Sequence, residues 1–273
     1  MLMSKAILID TTKCIGCRAC QVACKSWHDL KGEKSTFSET WSNPRFLSSN
    51  QYTRVIFREV AKADGSLNWY FVKRQCMHCN DPACVSACPV GSLVKLPDGP
   101  VVYDDGKCIG CRYCMMACPF QVPKFEWESA VPLVRKCTFC PERQAMGLAP
   151  ACVTTCPTGA LILGERAELL KEAHRRIGTE PKRYYPLVYG DKIAGGTSKL
   201  YLTPVSFEEL GLTQRGFRTD LGDIPQGVYG REWMSKVPFV AVAVGGLAVG
   251  LHYLNKRRAE VRAEEGKEDE SHG

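Results

Sequence analysis

Cys108–Pro119 reads CIGCRYCMMACP, and its spacing organises the whole chain. The cysteines stand at 108, 111, 114 and 118, and Pro119 follows the last of them. Three thiols at this spacing let a tight loop wrap one face of a metal–sulfur cube. The fourth follows after a helical turn and reaches toward a neighbouring cube. The pattern recurs three times. Cys14, Cys17, Cys20 and Cys24 have the same spacing, with Lys25 in place of the proline. Cys76, Cys79, Cys84 and Cys88, followed by Pro89, widen the middle gap. Cys137, Cys140, Cys152 and Cys156, followed by Pro157, widen it further.

All sixteen cysteines of the 273 residues fall into these sets, so the internal repeat accounts for the one unusual feature of the composition. Forty-five per cent apolar and 24% charged residues are ordinary for a globular chain, and exclude a wholly disordered or multi-span protein. Lys and Arg exceed Asp and Glu, 36 against 29, for a formal charge of +7. Such a balance can point to nucleic acid or an anionic surface. Here it has another outlet: four oxidised 4Fe–4S clusters with their thiolates carry about −8 and bring the chain close to neutral.

Other readings of the cysteines are weaker. Zinc suits Cys137, Cys140, Cys152 and Cys156 only if that set stood alone. Eight disulfides would suit an exported chain, but four successive Cys-x2-Cys starts argue for metal. No aromatic-interleaved basic patch of the nucleic-acid kind is present. No dinucleotide fingerprint, phosphate loop or zinc-protease motif is found either, so no catalytic site is expected in this chain. His78, inside the Cys76–Cys79 loop, reads as a tuner of a cluster rather than a ligand. Trp27 and His28 read as packing.

The strands suggest how the sets share clusters. Leu93–Leu96 and Val101–Tyr103 flank Pro97-Asp98-Gly99-Pro100 as a hairpin joining the second and third sets. That makes an inner module, residues 75–120, with Cys76, Cys79, Cys84 and Cys118 on one cluster and Cys88, Cys108, Cys111 and Cys114 on another. Ala6–Ile9 precedes the first set and Ala160–Leu163 follows the fourth. Their pairing would build an outer module from residues 1–25 and 136–165. It would hold one cluster on Cys14, Cys17, Cys20 and Cys156, and another on Cys24, Cys137, Cys140 and Cys152. The expected fold is α+β: two nested ferredoxin-like modules of two 4Fe–4S clusters each, spanning residues 1–165. YTRVIFREV and LNWYFVKR, around Asp64-Gly65, form a hairpin inserted at 50–75.

Residues 166–235 read as an irregular connecting arm, with a short helix from Arg166 to Arg176 and a strand near Leu200–Val205. Residues 237–254, VPFVAVAVGGLAVGLHYL, carry no acidic residue, lysine or arginine. At ~1.5 Å per residue they span ~27 Å, close to the apolar thickness of a bilayer. A single transmembrane helix is expected there, followed by a charged tail at 255–273 with no need of a fold. Lys256, Arg257, Arg258 and Arg262 outnumber Arg231 and Lys236 across the span. This favours a cytoplasmic C-terminus in the inner membrane and a cluster domain outside, in the periplasm. His252, near the cytoplasmic end, is a candidate contact to a haem, quinone or lipid. The N-terminus has neither an apolar signal core nor a twin-arginine pair, so export would rely on a signal-bearing partner.

The stretches CIGCRACQVACKSWHDL, QCMHCNDPACVSACP, CIGCRYCMMACPFQVPKF, KCTFC, PACVTTCPTGAL, GGTSKLYL and GLHYL follow in this order. With them the chain resembles the iron–sulfur (β) subunit of respiratory, membrane-bound formate dehydrogenase. The resemblance implies an electron-transfer subunit with four 4Fe–4S clusters and no catalysis of its own. It implies a molybdopterin-type catalytic α subunit, with molybdenum or tungsten, which carries the twin-arginine signal. It also implies a cytochrome b γ subunit that reduces quinone. QCMHCNDPACVSACPV equally resembles the membrane-anchored ferredoxin-like subunit of nickel–iron hydrogenases, which usually has its own leader. Related nitrate reductase subunits lack one cluster-binding cysteine, whereas all sixteen positions are filled here.

Overall fold

The computed structural model describes residues 4–35, 37, 40–61, 64–212 and 226–271. The chain divides into two units, Met1–Gly230 and Arg231–Gly273. The first unit is built from strands β1 (Lys5–Asp10), β2 (Arg54–Ala61), β3 (Leu67–Arg74), β4 (Leu93–Lys95), β5 (Val101–Tyr103), β6 (Lys124–Phe125), β7 (Val134–Arg135), β8 (Leu161–Glu165) and β9 (Lys199–Leu202). Between them run short helices α1 (Ala19–Trp27), α2 (Ala83–Ser86), α3 (Tyr113–Ala117), α4 (Pro141–Ala145) and α5 (Ala151–Thr154), and the longer α6 (Arg166–Thr179). The second unit consists of helix α7 (Gln226–Ser271), whose first residues belong to the first.

β1 is the centre of the first unit. It pairs with β8 antiparallel, Ile7 opposite Leu163, and with β9 in parallel, Ile7 opposite Lys199. A strand flanked on both edges and covered on both faces should be apolar throughout, and five consecutive residues of β1 are buried. The alternation sorts them. Ala6 and Leu8, with Leu200 and Leu202 of β9, meet Leu169 and Ala173 of α6. Ile7 and Ile9, with Tyr201, face the other way, toward Leu161, Phe139 and Cys152. Each such side chain contributes about 1.5–3 kcal/mol on burial. The α6 face is closed by Asp10. Its carboxylate accepts from Arg176 Nη1 and Tyr184 Oη, both at 3.0 Å.

The expected strand pair Ala6–Ile9 with Ala160–Leu163 is present as β1 with β8. The two expected hairpins are β2–β3 and β4–β5. Helix α1 packs on α5, and α2 on α3. The helix expected from Arg166 to Arg176 and the strand expected near Leu200–Val205 are present as α6 and β9. The arm expected to be otherwise irregular builds both elements into the sheet core, and its residues 213–225 lie outside the described residues. Two further features differ from the sequence reading. A short β6–β7 hairpin, too brief to show a period, follows the third set. The tail expected to be unstructured continues α7 to Ser271. Its Glu, Lys, Arg and Ala are strong helix formers, and Arg257 meets Glu260 one turn on at 3.7 Å. Within α7, Phe239–Glu260 is long and apolar enough to cross a membrane by length and composition.

Candidate iron–sulfur centres

Each set of cysteines is presented by a loop that turns into a short helix. In the first and third sets the loop is CIGCR. Gly16 and Gly110 take φ of 69° and 70°, a region open to glycine, and so turn the chain between the first two thiols. Arg18 and Arg112 then adopt left-handed backbone, φ 61° and 63°, immediately before α1 and α3. The second and fourth sets share another device. Pro82 and Pro150 stand before α2 and α5, and the sequences ACVS and ACVT put Cys84 and Cys152 at the same place in each helix.

Each gathering of thiols joins three from one set to one from another. Cys14 faces Cys156 and Cys17, and Cys20 faces Cys14 and Cys17. These four also line one space of about 430 Å³ free of protein atoms, together with Lys73, Val55 and Phe71. Cys24, by contrast, faces Cys137, Cys152 and Cys140. Cys79 faces Cys118, Cys76 and Cys84. Cys114 faces Cys111, Cys88 and Cys108, and these four line a second such space of about 310 Å³. The sixteen residues thus come together in four groups of four, and the fourth cysteine of each set lies with another set's cysteines.

A fold that held sixteen free thiols here would gain little from them. Burial, with the nearness of other thiols, pushes Cys20 and Cys140 up to about 11 and Cys114 to about 12. Cys24 and Cys84 are raised further for the same reasons. Thiolates in such places need a strongly positive core between them, which the iron of a cluster supplies. Among the described residues, no three His, Cys, Asp or Glu side chains converge as they would on a single metal ion. Three thiols from one set with a fourth from another is the arrangement that a cube takes.

The polar surroundings fit the same occupant. His78 is fully buried, and its Nδ1 accepts the Val101 N–H at 3.0 Å, which leaves the proton on Nε2. Burial and then Lys136, Lys199, Lys95 and Lys73 hold its pKa well below the usual value, so the ring is neutral. Its Nε2, like Nε2 of Gln75, is buried without a protein partner. Buried donors of this kind are normally satisfied, and cluster sulfur is an acceptor. Cys88 Sγ already accepts the Ser92 N–H at 3.2 Å.

Several neighbours of the groups escaped the sequence reading. His28 is more than packing: its Nε2 lies 3.8 Å from Cys140 Sγ. Trp27 is exposed, and the Arg143 guanidinium lies 4.6 Å from its ring. Lys73, Lys136 and Lys199 are buried among the thiol groups. Burial draws Lys199 down to about 8. In Lys73 the facing thiols Cys152, Cys20, Cys137 and Cys24 outweigh burial and raise it. A lone lysine inside an apolar strand, as in WYFVKR or SKLYL, is the signal that could have revealed them. His252 lies on α7, exposed in this single chain.

Comparison with known proteins agrees with this chemistry. Residues 13–92 and 67–166 each match a 4Fe–4S dicluster domain. The two matches overlap and follow sequence order, so they do not divide the chain into nested modules. The chain is 41% identical over 200 residues to the nitrate-inducible formate dehydrogenase iron–sulfur subunit of Escherichia coli K12, covering 72% of this chain and 67% of that one. It is 36% identical over 275 residues to the formate dehydrogenase iron–sulfur subunit of Haemophilus influenzae, covering 98% and 84%. The hydrogenase-2 operon protein HybA of Escherichia coli O157:H7 is 39% identical over 241 residues, covering 77% and 73%.

Proposed function

The chain belongs to the family of formate dehydrogenase iron–sulfur subunits, which transfer electrons and do not catalyse, and from that membership we propose that it relays electrons from formate through four 4Fe–4S clusters to a membrane quinone. The observation that carries the reading is the gathering of sixteen cysteines into four groups of four. Each group would ligate one cluster. These are Cys14, Cys17, Cys20 and Cys156; Cys24, Cys137, Cys140 and Cys152; Cys76, Cys79, Cys84 and Cys118; and Cys88, Cys108, Cys111 and Cys114. A bound 4Fe–4S cluster accepts and gives up one electron at a time.

The order of the relay follows from which thiols face one another between groups. Cys20 of the first group faces Cys152 of the second. Cys137 of the second faces Cys76 of the third, and Cys84 of the third faces Cys114 of the fourth. This supports a linear path with Cys17 and Cys111 at its two ends, and Cys17 is exposed. It also supports a nested division, outer module 1–25 with 136–165 around inner module 75–120. β1–β8 and α1–α5 tie the outer pieces, and β4–β5 and α2–α3 tie the inner ones.

The partners follow from the need for a donor and an acceptor. A molybdopterin-type α subunit holding molybdenum or tungsten would oxidise formate. A cytochrome b γ subunit would pass the electrons to quinone. The apolar stretch of α7 would anchor the chain in the inner membrane, with the cluster domain periplasmic and Lys256, Arg257 and Arg258 on the cytoplasmic side. His252 would lie at that side, within reach of a neighbouring subunit's cofactor or lipid headgroups.

Affinity isolation of this chain from gently solubilised membranes, followed by mass spectrometry, tests the assignment. A molybdopterin subunit and a cytochrome b, with formate-to-quinone activity, are expected. A nickel–iron large and small subunit would move the same relay to hydrogen oxidation, a second reading that the similarity to HybA favours.

A further inference from the structure

An ammonium group buried in protein is unfavourable unless opposite charge faces it. This chain buries such groups where its cysteine groups meet. Lys73, on β3, is 3% exposed, and its Nζ donates to Thr53 Oγ1 at 2.7 Å and to Gln75 Oε1. It lines the space of the first group, with Cys14, Cys17, Cys20 and Cys156. The thiols bearing on it come from the first two groups: Cys20 from one, Cys152, Cys137 and Cys24 from the other. Lys199, on β9, is 1% exposed, and its Nζ sits 3.3 Å from the centroid of the Phe139 ring, between Cys137 and Cys140 in sequence. The thiols bearing on it, Cys137, Cys152 and Cys76, come from the second and third groups.

The fold fixes both positions. Lys199 lies opposite Ile7 in the central sheet, on the face that meets Phe139 and Cys152 and away from α6. Lys73 lies opposite Val55 in the β2–β3 hairpin, and its carbonyl accepts from Tyr201 Oη at 2.7 Å, so the two strands hold each other. Neither ammonium can swing to solvent. Both are fixed positive charges at a junction, one between the first and second groups and one between the second and third.

We propose that Lys73 and Lys199 are potential-setting residues, each raising the reduction potential of the two 4Fe–4S clusters it borders. The inference rests on the four-cluster reading above. Reduction adds one electron to a cluster and makes or breaks no bond. The added negative charge is stabilised by a fixed ammonium nearby, and in a medium of low effective dielectric that attraction is large. The second group borders both lysines and should lie highest. An electron then finds a favourable step inside the relay, not only at its end.

The test is a redox titration of the intact membrane complex, reduced stepwise with dithionite and mediators and followed by EPR. At least four one-electron 4Fe–4S steps, and at least sixteen iron atoms per copy of this chain beyond the haem iron of the cytochrome b, are required of the unsubstituted complex; fewer would overturn the four-cluster reading itself. Lys199→Met should lower two steps at least tenfold in the reduction equilibrium, about 59 mV each. Lys73→Met should lower two as well, one of them the step that Lys199→Met also moves. Lys199→Arg should keep the original potentials, and so should Lys171→Met, on the exposed face of α6. With iron retained, unchanged potentials in Lys199→Met and Lys73→Met would overturn the proposal. If either variant loses one bordering cluster, the surviving bordering cluster decides: lowered in support, unchanged against.

Discussion

Asp10–Arg18, DTTKCIGCR, and Asp104–Arg112, DDGKCIGCR, differ at two positions of nine. Their local structures match: Thr12 N–H and Gly106 N–H each donate to the side chain of the leading Asp at 3.1 Å. The same turn, the same glycine and the same left-handed arginine follow. What surrounds the two loops differs. Asp10 is fully buried against Arg176 and Tyr184, whereas Asp104 is exposed and pairs with Lys107 at 3.0 Å. Arg18 lies 4.7 Å from the Phe57 ring, and Arg112 lies over Phe125 and Trp127. After the fourth cysteine the paths part. Pro119 cannot continue a helix and α3 stops at Ala117, but Lys25 continues α1 to Trp27 and carries His28 to Cys140. One nonapeptide serves two roles: in one loop it is tied into the sheet core, in the other it stands near the surface.

The largest expected effect tests whether the two loops export their fourth cysteine alike. Cys24→Ser should remove the cluster of Cys137, Cys140 and Cys152 and spare that of Cys14, Cys17 and Cys20. Cys118→Ser should remove the cluster of Cys76, Cys79 and Cys84. Iron analysis with EPR of each variant reads this, and loss of the cluster on Cys14 in Cys24→Ser would break the parallel.

The leading aspartates should differ next. Asp10→Ala removes one of the two carboxylates on Arg176, which keeps Glu172 at 2.7 Å, and leaves Tyr184 Oη without its acceptor. It should cost about 1.5–3 kcal/mol, read as release of clusters at lower urea. Asp104→Ala should leave the urea midpoint nearly unmoved. Equal sensitivity would mean the buried network carries no special weight.

Lys25→Pro should cost about 3 kcal/mol by breaking the last turn of α1. Pro119→Lys, where the helix has already ended, should cost less than a third of that in the same urea assay. The glycines come after. An alanine at Gly110 suffers the left-handed backbone alone, about 1–2 kcal/mol. At Gly16 its Cβ would also fall 2.8 Å from the Phe71 ring, against 3.5 Å to Phe125 at Gly110. Gly16→Ala should therefore be the less stable of the two.

The smallest effect concerns pH. The Lys107 ammonium holds the Asp104 carboxyl below the usual carboxylate range. A depressed folded value contributes stability above the unfolded pKa, and loses it as pH falls through the folded one. Asp104→Asn should slightly flatten the acid side of a stability–pH curve, losing the small contribution near neutrality and matching the unsubstituted chain at low pH.

The hairpins around Asp64-Gly65 and Asp98-Gly99 were legible because turn residues and alternating strands are local signals. Ala6–Ile9 and Ala160–Leu163 were legible as partners because the cysteine repeat left them as the strands at its two ends. The strand near Leu200–Val205 was legible too and is β9, but its parallel place beside β1 was not, because no neighbouring turn announces a strand from the distant arm. The continued helix of α7 was missed for another reason: a charged, helix-favouring tail and an unstructured one have the same composition.

Local arithmetic was enough to determine every candidate ligand, since the spacing of thiols along the chain is what a cube requires. It also determined the apolar stretch at 237–254 and the absence of catalytic motifs. Tertiary structure decided the electrostatics: that Lys73 and Lys199 point inward among thiols, that Asp10 meets Arg176, and that His28 reaches Cys140. Those depend on which face of a strand or helix is covered, and the covering comes from residues about fifty to more than a hundred and fifty positions away, beyond the reach of any local pattern.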